Sequence, residues 1–272
     1  MPAFPISDPD DPRIAAYRHV RERDLVGREG LFVAEGEVVL RLLARSTRME
    51  TVSVLVAQKR LAGLADVLAP LHPETPVYAA SQAVMDAIVG VPIHRGILAL
   101  GRPRATPTAE ALLADLPARA LVLGLVGVAN HDNMGALFRN AAAFGASAVL
   151  LDPTCCDPLY RKAIRVSVGA ALTTPFARLG PDEDMISLLA AHGVAPVALS
   201  PSGTRTLADL PRAPRAGLVM GAEGPGLPDA LMARAATVSI PMAPGFDSLN
   251  VAVTAGIVLH HLAFVAKPEE TP

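Results

Sequence analysis

The feature that most constrains the fold is a series of short apolar runs that end in polar or glycine-rich loops. From residue 120 onward these runs are "ALVLGLVGV" (120–128), "SAVLLD" (147–152), "APVALS" (195–200), "AGLVMG" (216–221) and "TVSIPM" (237–242). Near-continuous apolar runs of this length are typical of strands buried on both faces of a parallel sheet. Helical patterns lie between several of them, so the sequence predicts an α/β fold with a mostly parallel sheet.

The first part of the chain alternates in the same way. The strand-like segments "VSVLVA", "PVYAAS" and "GILALG" alternate with helical patterns, which predicts a smaller α/β unit of about 90 residues. The segment 102–119 holds three prolines and one short helical piece, as is typical of a domain boundary. We therefore predict a flexible arm at 1–12, a first domain at 13–103, a linker at 104–117 and a second domain at 118–268.

Composition excludes several classes of protein. The two cysteines, Cys155 and Cys156, are neighbours, so the chain has neither a disulfide framework nor the ligand spacing of a zinc site. The first residues, "MPAFPISDPDDPR", lack the basic and apolar regions of a secretory signal. No apolar run reaches the roughly 18 residues that a membrane span needs. We expect a cytoplasmic protein with no metal and no membrane segment.

The charge balance leaves nucleic-acid binding open. The formal net charge is -2, but of the 24 basic residues only Lys59, Lys162 and Lys267 are lysine. Arginine suits bidentate contact with phosphate, although a GC-rich genome produces the same bias. A local basic surface is therefore compatible with the near-neutral total.

Four polar loops follow predicted strands. They are "ANHDNMG" (129–135), "SPSGT" (200–204), "GAEGPG" (221–226) and "PMAPGFDSLN" (241–250). Ligands of open parallel sheets bind beyond the carboxyl ends of the strands, so these loops predict the site. The glycine spacing of "GAEGPG" does not match a dinucleotide fingerprint, and the chain has no P-loop motif. Both absences disfavour a nucleotide-dependent enzyme unrelated to RNA.

The first loop leads into a predicted helix at 135–144. Asp132 or Asn133 is the predicted N-cap of this helix. Arg139 lies among core-like residues, where a buried arginine needs a partner. The position of Arg139 in this apolar helix fits either a structural salt bridge or a functional role. His131 in the loop is either a base or incidental.

The last two loops each carry an unexplained polar residue. Glu223 stands between glycines, where a tight turn without a ligand gives no reason for a glutamate. Asp247 or Ser248 is the predicted cap of the last helix, which leaves Asn250 unexplained in the first turn. Asn250 is either satisfied by local backbone or holds a ribose, a loop or a phosphate.

A basic segment lies between the predicted strand at 147–152 and the later ones. In "YRKAIRVSVGAAL" (160–172), predicted as one helical segment, Arg161, Lys162 and Arg165 fall within about one turn. They form either a phosphate-contacting face or a solvated one.

Taken together, these loops carry a family resemblance. Three motifs follow each other: Asn133-Met134-Gly135 with Arg139-Asn140-Ala141 and Phe144-Gly145; then Met220 to Leu227; then Ile240-Pro241-Met242 with Ser248-Leu249-Asn250-Val251. In this order they resemble the SpoU (TrmH-like) branch of the SPOUT RNA methyltransferases over about 118–268. The segment "RVSVGAAL" (165–172) is similar to a further stretch of the family.

The resemblance implies a fold that local patterns do not reveal. The second domain would be an α/β knot, in which the C-terminal segment threads through a loop to form a deep trefoil. The first domain, with "FVAEGEVVLRLL" (32–43) and "HRGILAL" (94–100), is similar to a substrate-binding domain related to ribosomal protein L30e. Family members work as homodimers, with each active site near the interface of the catalytic domains.

The resemblance also implies a cofactor and site residues. S-adenosylmethionine would be held in the knot, with contacts that fall by motif position on Leu199, Gly221, Ile240 and Leu249. The reaction implied is methyl transfer to a ribose 2′-hydroxyl of rRNA or tRNA.

The residues that match the family's catalytic positions are Asn133, Arg139, Glu223, Ser248 and Asn250. Glu223 would hold the loops, with an ion pair to Arg139 as one arrangement. Arg139 would accept the hydroxyl proton, bind the neighbouring phosphate or stabilise the developing alkoxide. The last two are physically easier, because arginine hardly ever deprotonates. Arg161, Lys162 and Arg165 would contact RNA.

The sequence also departs from the family pattern. Asn130-His131-Asp132 replaces the frequent aspartate–proline before Asn133, and Ala252 replaces a frequent serine. A non-catalytic RNA-binding protein with a decayed knot domain is the alternative. Retention of all five catalytic positions argues against it.

Overall fold

The computed structural model describes residues 3–18, 22–89, 96–224, 226–245 and 248–266. The chain divides into two compact units. The first comprises Met1–Ala105 and Pro158–Thr173, and the second comprises Thr106–Asp157 and Thr174–Pro272. This division differs from the predicted domains at 158–173, which sequence order assigned to the second domain. The predicted domain ranges themselves stay a prediction.

The strands are β1 Ala3–Ile6, β2 Phe32–Glu35, β3 Met49–Ala57, β4 Val77–Ala80, β5 Ile97–Pro103, β6 Ala120–Leu125, β7 Ala148–Leu151, β8 Phe176–Arg178, β9 Ala195–Leu199, β10 Arg205–Thr206, β11 Arg215–Met220 and β12 Ala236–Ser239. The α-helices are α1 Glu22–Glu29, α2 Glu37–Ala44, α3 Ala65–Leu68, α4 Gln82–Val89, α5 Ala109–Ala114, α6 His131–Ala143, α7 Arg161–Val166, α8 Ala170–Thr173, α9 Met185–Ala191, α10 Asp229–Met232 and α11 Val251–His260. Short 3-10 helices cover Pro12–Tyr17, Gln58–Leu64 and Leu207–Asp209, and a π-helical turn, His261–Val265, extends α11.

The first unit is built on a five-stranded mixed sheet. Its strand order is β1-β4-β3-β5-β2, with β1, β4 and β3 parallel and β5 antiparallel to both of its neighbours. One core of this unit packs Ile14, Tyr17, Leu55, Met85 and Leu98 together. The Tyr17 hydroxyl lies 2.7 Å from Ser53 Oγ, so the one polar atom of this buried ring is satisfied.

The basic segment at 160–172 packs within the first unit. Arg161 Nε donates to Glu35 Oε2 at 3.1 Å, and Arg165 Nη1 lies 3.6 Å from the same oxygen. The predicted single helix is wrong, because α7 ends at Val166 and α8 starts at Ala170. Val168 (φ 54°) and Gly169 (φ 85°) separate the two helices in the left-handed region. A side chain at position 169 would meet Leu42, so the turn passes close to α2.

The second unit is built on a seven-stranded parallel sheet. Its order is β10-β12-β9-β11-β6-β7-β8, and every neighbouring pair is parallel. The prediction of a mostly parallel α/β sheet is thus confirmed. Val122, Leu150, Ile186, Leu189 and Val219 are fully or almost fully buried in its core. Since all strands run the same way, the four polar loops lie at one edge of the sheet.

The helices at this edge are capped by asparagines that the sequence did not single out as caps. Asn130 Oδ1 accepts from the backbone N–H groups of Asp132 (2.8 Å) and Asn133 (3.2 Å), so α6 begins earlier than predicted. The predicted cap at Asp132 or Asn133 is therefore wrong. Two or three polar residues in a row each satisfy the capping rule, and only the backbone geometry selects one.

The cap of α11 is likewise displaced. Asn250 Oδ1 accepts from the backbone N–H groups of Ala252 (2.9 Å) and Val253 (3.3 Å). Ser248, one predicted cap, precedes the helix by too many residues to serve. Asp247, the other, lies outside the described residues.

Within the described ranges, no helix combines the length and the apolar character that crossing a membrane requires.

Candidate functional site

Three of the four polar loops meet in a hydrogen-bonded group that we call the amide cluster, formed by Asn133, Glu223 and Asn250. Asn250 Nδ2 donates to Asn133 Oδ1 at 2.9 Å and to Glu223 Oε1 at 3.0 Å. The residues of the cluster are 117 and 27 positions apart along the chain from Asn250. The structure thus brings together three of the five predicted catalytic residues.

For Asn250 the sequence left open a local hydrogen bond and a contact with another loop, and the structure shows both. Its Oδ1 caps α11, and its Nδ2 cross-links the loops. The cap dictates which way the amide faces, because only the oxygen accepts from backbone N–H groups. The nitrogen is thereby directed to the two acceptors of the cluster. Local capping and the long-range contact are therefore one arrangement.

Asn133 and Glu223 differ in their surroundings. Asn133 is buried in the first turn of α6, with 8% of its surface exposed. A buried amide needs hydrogen-bond partners, and Asn250 supplies one. Glu223 is exposed on a turn that Ala222 and Gly226 close, with Gly226 N donating to Ala222 O at 3.1 Å. The cluster therefore has a buried end and a solvent-facing carboxylate.

Glycines allow the loops to pack backbone against backbone. A Cβ at position 221 would collide with the backbone of Gly226, and one at position 203 would collide with the backbone of Val238. Gly224 (φ 89°) and Gly226 (φ 69°) adopt conformations that side chains disfavour. The glycine-rich composition of "GAEGPG" thus serves a tight fold of the loop.

Arg139 differs most from its prediction. It is exposed rather than buried, and it makes no hydrogen bond or ion pair within the part of the chain that the structure describes. The predicted pair with Glu223 is wrong, because Glu223 bonds Asn250. Arg139 lies about 9 Å along α6 from Asn133, from the helical rise. Its charge is available to a ligand at no cost in broken contacts.

The residues predicted to bind the cofactor lie at the same edge as the amide cluster. Leu199 ends β9 and pairs in register with Val238 of β12, and Ile240 follows that strand. Gly221 follows β11, which pairs with β9. Leu199 and Ile240 are half-buried, and Leu249 is 44% exposed just before the cap of α11. Ser248, beside it, is exposed.

One positioning contact escaped the sequence reading. Asn140 Nδ2 donates to the backbone oxygen of Ala252 at 2.6 Å. Gly256 allows the close approach, since a Cβ there would lie 3.3 Å from Asn140 Nδ2. Asn140 is seven residues after Asn133 and so shares its helix face. This seven-residue spacing was the feature of the sequence that could have identified Asn140. The contact holds the start of α11 against α6.

A second positioning contact holds the first loop. Asp152 Oδ1 accepts from the backbone N–H groups of Gly127 (3.1 Å), Thr154 (3.1 Å) and Cys155 (2.9 Å). Partial burial raises the pKa of Asp152, but these hydrogen bonds outweigh it and hold the pKa below its ordinary value. Arg178 Nη1 donates to the carbonyl oxygens of Asp152 (3.0 Å) and Cys155 (2.8 Å). The loop that leads to Asn133 is thus braced by a charged network.

The two cysteines lack the environment that activates a thiol. Burial raises the pKa of Cys155 to about 12 and that of Cys156 to about 11. A nucleophilic cysteine needs a lowered pKa, so neither thiol fits that role. Among the residues that the structure describes, no group of three or more His, Cys, Asp or Glu side chains is arranged to hold a metal.

The parallel sheet, with its polar loops gathered at the carboxyl edge, defines an α/β protein with a candidate ligand site at that edge. A family model described as the SpoU rRNA Methylase family matches residues 120–260. An uncharacterized tRNA/rRNA methyltransferase of Mycobacterium bovis is 38% identical over 266 residues, covering 94% of this chain and 90% of the relative. Its counterpart in Mycobacterium tuberculosis H37Rv is 37% identical over the same coverage. The chain belongs to the SpoU rRNA methylase family, which confirms the predicted resemblance.

Solved structures agree over nearly the whole chain. An AdoMet-bound rRNA methyltransferase from Sinorhizobium meliloti is 24% identical with a TM-score of 0.80, covering 96% of this chain and 97% of that one. A structure described as an RNA 2′-O ribose methyltransferase is 27% identical with a TM-score of 0.75, covering 95% and 98%. Both likenesses extend over the two units and support the α/β fold.

Proposed function

We propose that the chain transfers a methyl group from S-adenosylmethionine to a ribose 2′-hydroxyl of rRNA or tRNA. The observation that carries the proposal is the amide cluster, in which Asn133, Glu223 and Asn250 form a complete hydrogen-bonded set. A decayed, non-catalytic domain gives no reason to keep this set together with a solvent-facing Arg139. The 2′-hydroxyl as acceptor is supported by the 27% identical structure described as a 2′-O ribose methyltransferase.

The residues at the sheet edge fit the proposed donor. Leu199, Ile240 and Leu249 are apolar and partly exposed, as suits the faces of an adenine ring. Gly221 lies where a side chain would collide with the backbone of Gly226, so at this position only main-chain atoms can face a ligand. When bound, S-adenosylmethionine supplies an electrophilic methyl group, and the chain needs no metal for this chemistry.

The chain's own residues must orient and activate the ribose hydroxyl. A hydroxyl is a poor nucleophile until its proton is lost or shared. A guanidinium group is a poor proton acceptor in proteins, so Arg139 acts by binding the adjacent phosphate and by stabilising negative charge on the hydroxyl oxygen. Asn133 orients the ribose or its phosphate, and Ser248 and Asn250 order the site beside the methyl group. Glu223 keeps the amide of Asn250 directed into the cluster.

We further propose that the second domain forms a trefoil knot. We also propose that the domain at 13–103, similar to a domain related to ribosomal protein L30e, binds the substrate RNA. Arg161, Lys162 and Arg165 remain proposed RNA contacts. The partnership of Arg161 and Arg165 with Glu35 means that a phosphate would compete with that carboxylate. The proposed compartment is the cytoplasm.

A homodimer through the second domain is also part of the proposal. The outward side of α11 and its π-helical extension exposes Val253 (54%), Ile257 (39%) and Phe264 (69%). Apolar side chains exposed in one stripe are typical of a protein interface. The stripe begins next to Asn250, which would bring each site near the dimer contact.

The test is methyl transfer to RNA that lacks the modification. The full chain is incubated with radiolabelled methyl donor and total RNA from a strain without its gene. We expect the label in an alkali-resistant dinucleotide, because a 2′-O-methyl group blocks cleavage of the next phosphodiester. Label released in mononucleotides would contradict the 2′-hydroxyl as acceptor. No incorporation into any RNA would contradict methyl transfer itself.

A further inference from the structure

One arginine at the carboxyl edge of the parallel sheet is surrounded by backbone carbonyl oxygens. Arg178 ends β8, and its guanidinium group reaches the turn 152–157 that follows the neighbouring strand β7. The carbonyl cage, as we call its main-chain acceptors, consists of the carbonyl oxygens of Asp152 (3.0 Å), Pro153 (3.5 Å), Cys155 (2.8 Å) and Cys156 (3.4 Å). A single side chain from one strand thus gathers the turn that follows another strand.

The shape of the guanidinium group matters as much as its charge in this arrangement. The ion pair of Arg178 with Asp157 is long, with 4.0 Å between Nη2 and Oδ2. A guanidinium group presents five N–H donors in one rigid plane, whereas the ammonium group of lysine is a compact point charge. Convergent carbonyl oxygens repel one another unless donors lie between them. The path of the turn therefore depends on this plane of donors.

Two hydrogen bonds connect the turn to the loop before α6. Cys156 N donates to Val128 O at 2.9 Å, and Gly127 N donates to Asp152 Oδ1 at 3.1 Å. The loop that contains Gly127 and Val128 leads into the first turn of α6, where Asn133 lies. A shift of the turn would therefore move the loop and, with it, the start of the helix that carries Asn133.

We propose that Arg178 is a positioning residue for methyl transfer, which acts on Asn133 through the carbonyl cage and does not contact RNA or donor. The proposal rests on the proposed function, because it concerns the same reaction. It has two consequences. Turnover depends on the cage, whereas the affinities for RNA and for the donor do not. A cage that has lost its arginine also becomes a site for free guanidinium ion, which solvent can deliver because the Arg178 side chain is 34% exposed.

The experiment removes the guanidinium group and then returns it as a free ion. The full chain and its Arg178→Ala variant transfer radiolabelled methyl groups to total RNA from a strain without the gene. We expect kcat to fall by about 100-fold, as for a misplacement of about 1 Å at a reacting centre. The KM for RNA and the Kd for S-adenosylmethionine should stay unchanged. Low millimolar guanidinium chloride should restore part of the lost turnover, and methylammonium chloride should not, because it lacks the planar set of donors.

The matched control is Arg215→Ala, which removes another arginine bound to backbone carbonyl oxygens of the second unit. Arg215 donates to the oxygens of Leu116 (2.7 Å), Pro117 (3.0 Å) and His192 (3.1 Å). It begins β11 and so lies at the amino edge of the sheet, away from the amide cluster. The control should lose thermal stability and keep its turnover. Arg178→Lys, which retains the charge without the planar donors, should show an intermediate kcat and serves if Arg178→Ala does not fold.

Several outcomes would overturn the role of Arg178. Equal loss of turnover in Arg178→Ala and Arg215→Ala would reduce the effect to general destabilisation. Unchanged turnover in the folded Arg178→Ala variant, or no rescue by guanidinium ion, would remove the carbonyl cage from the reaction. Loss of RNA or donor affinity in proportion to turnover would show that Arg178 contacts a ligand. Each of these results, with methyl transfer by the wild type, rejects only this role, whereas no methyl transfer by the wild type rejects the proposed function.

Discussion

At the residue scale, Asn250 links the structure of a helix end to the site. Asn250→Asp keeps the oxygen that caps α11 and removes the Nδ2 donor that reaches Asn133 and Glu223. It also places a negative charge beside Glu223. We expect a small change in stability and a loss of methyl transfer, measured by thermal unfolding and by label incorporation.

The matched variant is Asn250→Ala, which removes the cap as well. It should lose about 1 kcal/mol of stability from the missing cap. Equal activity in Asn250→Asp and the wild type would show that the contact between the loops is incidental.

The exposed Arg139 allows a test of function without a structural penalty. Because it has no partner within the described residues, Arg139→Ala should change stability by less than about 0.5 kcal/mol. Loss of charge stabilisation at the reacting oxygen should lower turnover by about 100-fold or more. Single-turnover methyl transfer and calorimetric binding of the donor provide the two measurements. Parallel loss of donor binding would show instead that Arg139 shapes the donor site.

Motif spacing identified the members of the amide cluster but not their partners. Asn133, Glu223 and Asn250 were found because all three match the family's catalytic positions, and Glu223 and Asn250 also had no local explanation. Their hydrogen bonds join loops that are far apart in sequence, and a single chain gives no distance between loops. The same limit explains why Arg139 was paired with Glu223, which Asn250 holds instead.

At the element scale, Asp152 braces the loop between β6 and α6. Its pKa in the folded state is depressed, so its stabilising effect is present above the ordinary value of 3.8 and is lost as pH falls through the lower folded pKa. Asp152→Asn should therefore be less stable than the wild type at neutral pH, and the gap should narrow in acid. Urea unfolding at several pH values checks this.

Turnover and donor affinity together distinguish a positioning role of Asp152 from general stabilisation of the fold. Since Asp152 binds Gly127, upstream of Asn133, the variant should lose turnover more than donor affinity. A stability gap that stays constant down to acid pH would contradict the assignment of the effect to the carboxylate.

Strand positions were the most predictable part of the fold. The apolar runs became β6, β7, β9, β11 and β12, because burial on both faces of a parallel sheet demands such runs. Strands β8 and β10, of three and two residues, are too short to show a pattern. The break between α7 and α8 was hidden because Val168, a β-branched residue, adopts a conformation that sequence rules reserve for glycine.

At the scale of the whole molecule, the order of strands and the membership of segments depend on long-range packing. The sheet order β10-β12-β9-β11-β6-β7-β8 departs from chain order at most of its steps. The segment 158–173 joins the first unit because Arg161 finds Glu35 and Gly169 fits against α2. Periodicity marks a helix and its apolar face, but it does not say which core that face joins.

The proposed dimer gives the last prediction. Ile257→Glu introduces a charge into the exposed apolar stripe of α11, whose members Val253 and Phe264 it separates. Burying that charge in an interface is costly, so we expect the variant to elute as a monomer where the wild type is a dimer. Light scattering after size-exclusion chromatography measures this.

The control is Val38→Glu, at a position in α2 that is 58% exposed and outside the stripe; it should remain dimeric. Because the stripe begins beside Asn250, the monomer should also lose methyl transfer while keeping its folded stability. A wild type that is monomeric, or a dimeric Ile257→Glu variant, would remove α11 from the interface and leave its exposed apolar side chains without an assigned partner.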